Sequence, residues 1–237
     1  MNLQKANEEI YTKKKIIDIK RYAHFIDFGS EVSCYNLTAK QVIKFFDVTP
    51  TDPTQKLLIA DKIYGTNTFP FVDKIQKYCD KIISYTMKYV KGARLGKEES
   101  IKLFYSLSYN MLIEYLNILT SDSKTLANYG IQAFDCRENN IILSSTGFRQ
   151  IDCIDFKIVD VDPNITTKIN IELMCITIWE SLITKHLSTF LINNNLKLNQ
   201  FTESPIEFIQ ELKRISQEYS DTEIITIEDT KKLSRKK

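Results

Sequence analysis

Residues 130–156, which read GIQAFDCRENNIILSSTGFRQIDCIDF, constrain the fold of this chain more than any other stretch. Asp135 is followed five residues later by Asn140, then by an apolar run, a turn and a second short run that ends at Asp155 and Phe156. This order predicts a polar loop that leads into a β-hairpin. Taken alone, the loop could also be an ordinary polar turn between a helix and a hairpin, because Asp and Asn are frequent in turns.

The segment resembles the catalytic loop and metal-binding strand of the protein kinase fold, which read H-R-D-x-K-x-x-N, three apolar residues, a hairpin and D-F-G. Asp135 and Asn140 match the D and the N of that pattern, and Arg137 stands where the family carries its Lys. The resemblance implies an α+β, bilobal protein kinase-like fold. Its amino-terminal lobe would be small and β-rich, and its carboxyl-terminal lobe reduced and mostly helical.

The resemblance also implies a chemistry. Kinase-like enzymes transfer a phosphoryl group mainly by positioning it and by neutralising phosphate charge with Mg²⁺ and cations. In this interpretation the cofactors are ATP and Mg²⁺, or Mn²⁺. Asp135 is the catalytic carboxylate that faces the acceptor hydroxyl, Arg137 is a cation near the transferred phosphate, and Asn140 is a metal ligand.

Two carboxylates are candidates for the other metal ligand of the pattern. Asp155 precedes Phe156, but it lies two positions further from Gly147 than is usual in the family, whereas Asp152 lies one position closer than usual. Because the Phe belongs to the family pattern, we expect Asp155 to be the ligand and keep Asp152 as the alternative. Lys157 replaces the Gly of D-F-G, so the backbone there loses easy access to positive φ.

An upstream segment resembles the nucleotide-covering loop and the lysine strand of the same fold. Gly29 remains of G-x-G-x-x-G, since Asp27 and Val32 stand where the outer two glycines are expected. Backbone amides then approach phosphates less closely, and Asp27 adds negative charge, so we expect weak nucleotide affinity. Lys44, in the run QVIKFF, resembles the phosphate-contacting Lys. The Glu that the family pairs with this Lys is missing. Asp61 is the nearest carboxylate and could be its partner; alternatively, Asp61 lies on a solvated helix face.

The run 82–95, IISYTMKYVKGARL, resembles the last strand and the hinge of a kinase amino-terminal lobe. The resemblance places Met87 behind the adenine and the backbone of Lys88, Tyr89 and Val90 at the adenine edge. Lys88 replaces the usual Glu, which matters little where recognition uses main-chain groups. Alternatively, Met87 and Tyr89 are only strand residues of a half-buried sheet.

The same patterns divide the chain into an amino-terminal lobe, a helical lobe with the catalytic loop and a basic disordered tail, at 1–92, 93–228 and 229–237. Apolar residues at helical spacing predict helices in the second part, at 98–119, 169–187 and 205–219. In the second of these helices, Asn170 stands where the kinase family usually has Asp.

Composition limits the remaining classes of function. A formal net charge of +2 over 237 residues argues against a dedicated nucleic-acid binder. The five cysteines are scattered without C-x-x-C, which favours reduced thiols over disulfides or a zinc site. The sequence shows no signal peptide and no transmembrane segment, so we expect a cytoplasmic protein, or a host-cytosolic one if the source is a virus or an effector.

Two functional hypotheses follow. Retention of Lys44, Asp135 and Asn140 favours an ATP- and Mg²⁺-dependent phosphotransferase, a divergent Ser/Thr protein kinase-like enzyme that acts on an unknown protein or small-molecule acceptor. Loss of two loop glycines and of the helix Glu favours a pseudokinase, a binding or regulatory module. Fourteen residues separate Asp155 from Asn170, too few for a full activation loop. A small-molecule kinase of the aminoglycoside phosphotransferase type is therefore a further alternative.

Overall fold

The computed structural model describes residues 7–28, 32–47, 65–69, 72–152, 155–181 and 205–220. Predictions that involve Gly29, Asp61, the helix end at 182–187 and the tail at 229–237 lie outside these residues. The described part is a mixed α+β fold, as the sequence predicts, with a six-stranded sheet followed by a mostly helical unit. No described helix is long and apolar enough to cross a lipid bilayer.

A single twisted sheet forms the amino-terminal unit. Its strands, in chain order, are β1 (Asn7–Ile10), β2 (His24–Phe28), β3 (Val32–Thr38), β4 (Gln41–Phe46), β5 (Lys74–Tyr78) and β6 (Lys81–Lys88). Their spatial order is β1-β5-β6-β4-β3-β2. Neighbouring strands are antiparallel except β1 and β5, which run parallel.

Strand β4 lies in the middle of the sheet, and both of its faces are covered. On one face Ile43 and Phe45 pack beneath the helix α1 (Lys13–Tyr22). On the other face Val42 belongs to a separate apolar cluster. Because side chains alternate along a strand, Lys44 shares the face of Val42 and points away from α1. The sequence pattern of β4 therefore directs one lysine to the inner face of the sheet.

The second unit is built from four described α-helices and two small sheets. The helices are α2 (Glu98–Ser106), α3 (Tyr109–Asn128), α4 (Pro163–Trp179) and α5 (Pro205–Ser220). The strands are β7 (Ala93–Arg94), β8 (Ile131–Gln132), β9 (Ile141–Ser144), β10 (Gly147–Gln150) and β11 (Lys157–Ile158). Strands β10, β9 and β7 form one sheet, and β11 pairs with β8.

Two helix boundaries differ from the sequence prediction. The single helix expected at 98–119 is divided into α2 and α3, because the Ser108 side chain caps α3 by accepting a hydrogen bond from Met111 N at 3.2 Å. Helix α4 begins at Pro163, six residues before the predicted start. Asp162 caps it by accepting from Asn164 N at 2.8 Å, and proline is favoured in the first helical turn. Local capping therefore overrode the apolar periodicity.

The segment 65–69 connects the two units. Asp122 of α3 is buried and accepts hydrogen bonds from Asn67 N at 2.8 Å and Thr68 N at 2.6 Å. Gln150 N, at the end of β10, donates to Thr68 O at 2.7 Å. These bonds fix segment 65–69 against α3 and the end of β10, and the next residues after β10 enter the cleft between the units.

Candidate active site

The loop between β8 and β9 holds Asp135 and Asn140 together. Asp135 has a φ of +53°, a left-handed conformation that is uncommon for a residue other than glycine. Its carbonyl oxygen accepts a hydrogen bond from Arg137 N at 2.8 Å, and Asn140 Nδ2 donates to Asp135 Oδ2 at 2.6 Å. The strained residue is therefore held by bonds from both of its predicted partners. Such strain is common at functional sites.

Helix α4 fixes this loop through Asn170. Its side chain is fully buried, accepts from Ala133 N at 2.8 Å and donates to Ile131 O at 3.1 Å. Further along the helix, the hydroxyl of Thr177 donates to Cys136 O. The backbone on both sides of Asp135 is thus bonded to one helix, which sets the position of the carboxylate.

Lys44 reaches the cleft from the opposite side. Only 6% of the residue is exposed. Its Nζ donates to Ile151 O at 2.6 Å and lies 3.5 Å from Asp152 Oδ2. A solvent-facing strand lysine, the ordinary alternative for this position, is excluded by this burial. The first unit therefore supplies a cation to the residues that follow β10, Ile151 and Asp152.

Lys44, Asn140 and Asp152 line one cavity of about 330 Å³. This volume lies at the small end of the range for ligand-binding pockets. The described residues of its wall also include Ile26, Asp27, Val32, Cys34, Arg94, Asn139 and Ile151. The cavity thus brings together a lysine, an amide and a carboxylate that are far apart in sequence.

This geometry favours Asp152 over Asp155 as the metal carboxylate, the reverse of the preference that the Phe motif gave. Asp155 is exposed and is not among the described residues that line the cavity. Phe156 is buried and packs edge-to-face on Phe69, with ring centroids 5.9 Å apart. The aromatic residue therefore occupies the core as the family pattern implies, while the carboxylate beside Lys44 comes from three residues before Asp155.

The predicted hinge residues are not brought to this cavity. Met87 is buried in the apolar cluster that includes Val42, and the described cavity wall contains none of the residues 87–90. Tyr89 N donates to Lys40 O at 2.9 Å, so this amide is already used within the sheet. The side chains of Lys88 and Tyr89 are exposed, and Val90 is half-buried.

The Asp135 carboxyl lies among charges of both signs. Burial raises its pKa above the ordinary value, and Asp155 and Asp152 raise it further, whereas Arg137 and the hydrogen bond from Asn140 lower it. Arg137 Nε lies 2.5 Å from Asp135 Oδ1, although the arginine side chain itself is 80% exposed. A carboxylate with a raised pKa accepts a proton more readily, which suits a group that orients and deprotonates an acceptor hydroxyl.

Arg94 is a cavity residue that sequence reasoning missed. Its Nη1 donates to Asp27 Oδ2 at 2.8 Å, so that β7 and β2 are joined across the cavity wall. Nothing in the sequence indicates that Asp27 and Arg94 form an ion pair. The one sequence signal was the glycine at 92: in the structure a Cβ atom there would clash with Leu143 O, so glycine lets β7 lie close to β9.

The donor set fits a magnesium ion that arrives with a nucleotide. Among the described residues there is no group of three or more His, Cys, Asp or Glu side chains that could hold a metal ion. Mg²⁺, however, is usually held by one or two protein carboxylates together with substrate phosphates and water. Asp152 supplies a carboxylate, and Asn140 uses Nδ2 for its bonds to Asp135, which leaves its Oδ1 oxygen for a metal.

Comparison with solved structures supports the fold. The chain is similar to the autoinhibited serine kinase domain of the giant muscle protein titin, with 14% identity and a TM-score of 0.53, over 81% of this chain and 73% of that one. It is also similar to a structure of titin kinase and its flanking domains, with 15% identity and a TM-score of 0.57. That match covers 99% of this chain but 46% of the other. No protein-family model and no curated protein matches. The chain thus has a protein kinase-like fold.

The contacts of Asn170 predict that the family's usual Asp is destabilising here. In Asn170→Asp a carboxylate oxygen replaces the Nδ2 donor and faces Ile131 O, in a fully buried position. We expect the free energy of unfolding, measured by urea denaturation, to fall by about 1–3 kcal/mol. The control Asn164→Asp is exposed in the first turn of the same helix, and should change it by less than about 0.5 kcal/mol. Equal stability of the two variants would show that the two Asn170 bonds do not hold the loop.

Proposed function

We propose that this protein is an ATP- and Mg²⁺-dependent phosphotransferase. The observation that carries the proposal is the 3.5 Å approach of Lys44 Nζ to Asp152 Oδ2 in a cavity that Asn140 also lines. A buried lysine beside a carboxylate and an amide oxygen is the arrangement that neutralises phosphate oxygens directly and through a metal ion. None of these residues alone would indicate a site. The indication comes from their convergence, because Lys44 belongs to one structural unit and Asp152 and Asn140 to the other.

Each residue then has a distinct role. Lys44 neutralises phosphate oxygens, and Asp152 and Asn140 Oδ1 hold the metal. Asp135 orients the acceptor hydroxyl and accepts its proton, and Arg137 carries positive charge beside it. Mg²⁺ supplies charge neutralisation on the phosphate oxygens when it is bound with ATP.

The acceptor is a hydroxyl group on a protein or a small molecule. Between Phe156 and Pro163 the chain has six residues, of which Lys157 and Ile158 pair with β8 and Asp162 caps α4. This connection cannot hold a long activation loop. We therefore propose that activity does not require phosphorylation of such a loop, and that the acceptor is recognised elsewhere.

A pseudokinase is the second candidate, and three features of the cavity favour it. The cavity has about 330 Å³, its described wall includes none of the hinge residues, and the Asp27–Arg94 ion pair joins two of its walls. A cavity at the small end of the range for ligand-binding pockets, without the hinge residues, favours binding over catalysis. A protein that binds nucleotide there without a complete catalytic arrangement would act as a binding module and transfer nothing.

Transfer from labelled ATP tests the enzyme proposal and the choice of metal ligand together. We expect the wild-type protein with Mg²⁺ or Mn²⁺ to label itself or a generic acceptor. Asp152→Ala should abolish labelling because the metal loses its carboxylate, whereas Asp155→Ala should retain most of it. Asp135→Asn should reduce labelling by about 10²–10⁴-fold, the usual size of a general-base contribution.

The outcomes separate the hypotheses. Loss of labelling in folded Asp155→Ala with activity kept in Asp152→Ala would return the metal to Asp155. Nucleotide binding by the wild-type protein without any transfer would favour the pseudokinase. Absence of both binding and transfer at millimolar nucleotide would rule out both ligand-based functions.

The pH dependence of transfer tests the environment of Asp135. Because its pKa is raised, the protonated, inactive carboxyl should persist to higher pH than for an ordinary Asp. Asp155→Asn removes a charge that raises this pKa, so the acid limb of the rate should move to lower pH than in the wild type. Asp160→Asn, at an exposed position, is the control. An acid limb unmoved by Asp155→Asn would show that another group controls it.

A further inference from the structure

The backbone of Arg94 is fixed at the edge of the cavity. Strand β7 pairs with β9, with Ala93 opposite Leu143 and Arg94 opposite Ile142. The next residue, Leu95, donates its N–H to Ile141 O at 2.9 Å. Because Gly92 permits this close approach, the Arg94 side chain starts from a fixed backbone position. That position is on the same sheet as the start of β9, which follows the loop of Asp135 and Asn140.

The guanidinium is only partly used. An arginine side chain has five N–H donors in a planar fork. Among the described residues, Arg94 makes one hydrogen bond, from Nη1 to Asp27. A single bond leaves one edge of the fork able to bind two oxygens of the same anion, which is the preferred geometry for phosphate and carboxylate ligands.

The two cations of the cavity differ in accessibility. Lys44 is 6% exposed and contacts both Ile151 O and Asp152. The side chains of Arg94 and Asp27 are 31% and 49% exposed, respectively. An ion pair this exposed contributes little to stability, so its carboxylate can be exchanged for another anion at small cost.

We propose that Arg94 is a nucleotide-binding residue that contacts a phosphate group of the bound nucleoside triphosphate, in exchange for Asp27. This inference rests on the proposed function, since it takes the cavity as the nucleotide site. Lys44 and Arg94 line the same cavity, which allows one polyanion to contact both cations. Asp27 is then a carboxylate that competes with the ligand, and this competition adds to its repulsion of the phosphates in the weak nucleotide affinity that we expect.

The two residues of the ion pair should affect affinity in opposite directions. Isothermal titration with Mg·ATP should show about tenfold weaker binding for Arg94→Met, the usual effect of losing a hydrogen bond to a charged group. Asp27→Asn should bind more tightly than the wild type, because Arg94 is released. Arg94→Lys keeps the charge without the fork and should fall between Arg94→Met and the wild type.

The double variant Asp27→Asn/Arg94→Met distinguishes direct contact from a general field effect. If Arg94 binds phosphate, the gain from Asp27→Asn operates through Arg94, and the double variant should bind as weakly as Arg94→Met. If the two charges act only through the field, the double variant restores the net charge and should bind like the wild type, which would overturn the inference. Adenosine, which lacks phosphate, should bind the wild type and all four variants equally.

The remaining outcomes separate failure of this inference from failure of the proposed function. Equal losses in Arg94→Met and Asp27→Asn would mean that the ion pair only supports the fold, and the inference would be wrong while the proposed function stood. If neither the wild type nor Asp27→Asn binds Mg·ATP, the proposed function fails and this inference with it. Melting curves of each variant without ligand establish that the proteins compared are folded.

Discussion

The buried ammonium group of Lys44 is the interaction on which the site depends. Removing a charged lysine from water is costly unless polar partners replace the water. Those partners come from the other structural unit, as Ile151 O at 2.6 Å and Asp152 at 3.5 Å. The pairing therefore fixes the segment after β10 against the six-stranded sheet, and the same contact that satisfies the lysine places a carboxylate in the cavity.

Amide side chains hold the loop of the site in place. Asn170 bonds the backbone on either side of residue 132, and Asn140 bonds the Asp135 carboxylate, so the loop is positioned by amides from two elements. This arrangement leaves the charged groups of the cavity to face one another and a ligand. The cavity has balanced charge, because Lys44 lies beside Asp152 and Arg94 beside Asp27. An incoming polyanion must therefore displace a carboxylate or bring its own metal ion.

The sequence predicted the α+β kinase-like fold through its resemblance to the protein kinase family, which Asp135, Asn140 and Lys44 carry. It did not predict the Asp27–Arg94 pair, since those residues lie on β2 and β7, which belong to different sheets and meet only in the folded chain. The preference for Asp155 relied on the adjacent Phe156, which is buried as the family pattern implies. Which carboxylate reaches Lys44, however, depends on where β10 ends, and the bond between Gln150 and Thr68 sets that point. The roles of these residues stay predictions.

The central claim is that Asp152, Asn140 and Lys44 form a metal–nucleotide site. A crystal structure of the protein with Mg²⁺ and a non-hydrolysable ATP analogue measures this directly. The account predicts a metal ion about 2.1 Å from an Asp152 carboxylate oxygen and from Asn140 Oδ1, with a phosphate oxygen against Lys44 Nζ. A metal ion bound by Asp155, or a nucleotide bound away from Lys44, would contradict it.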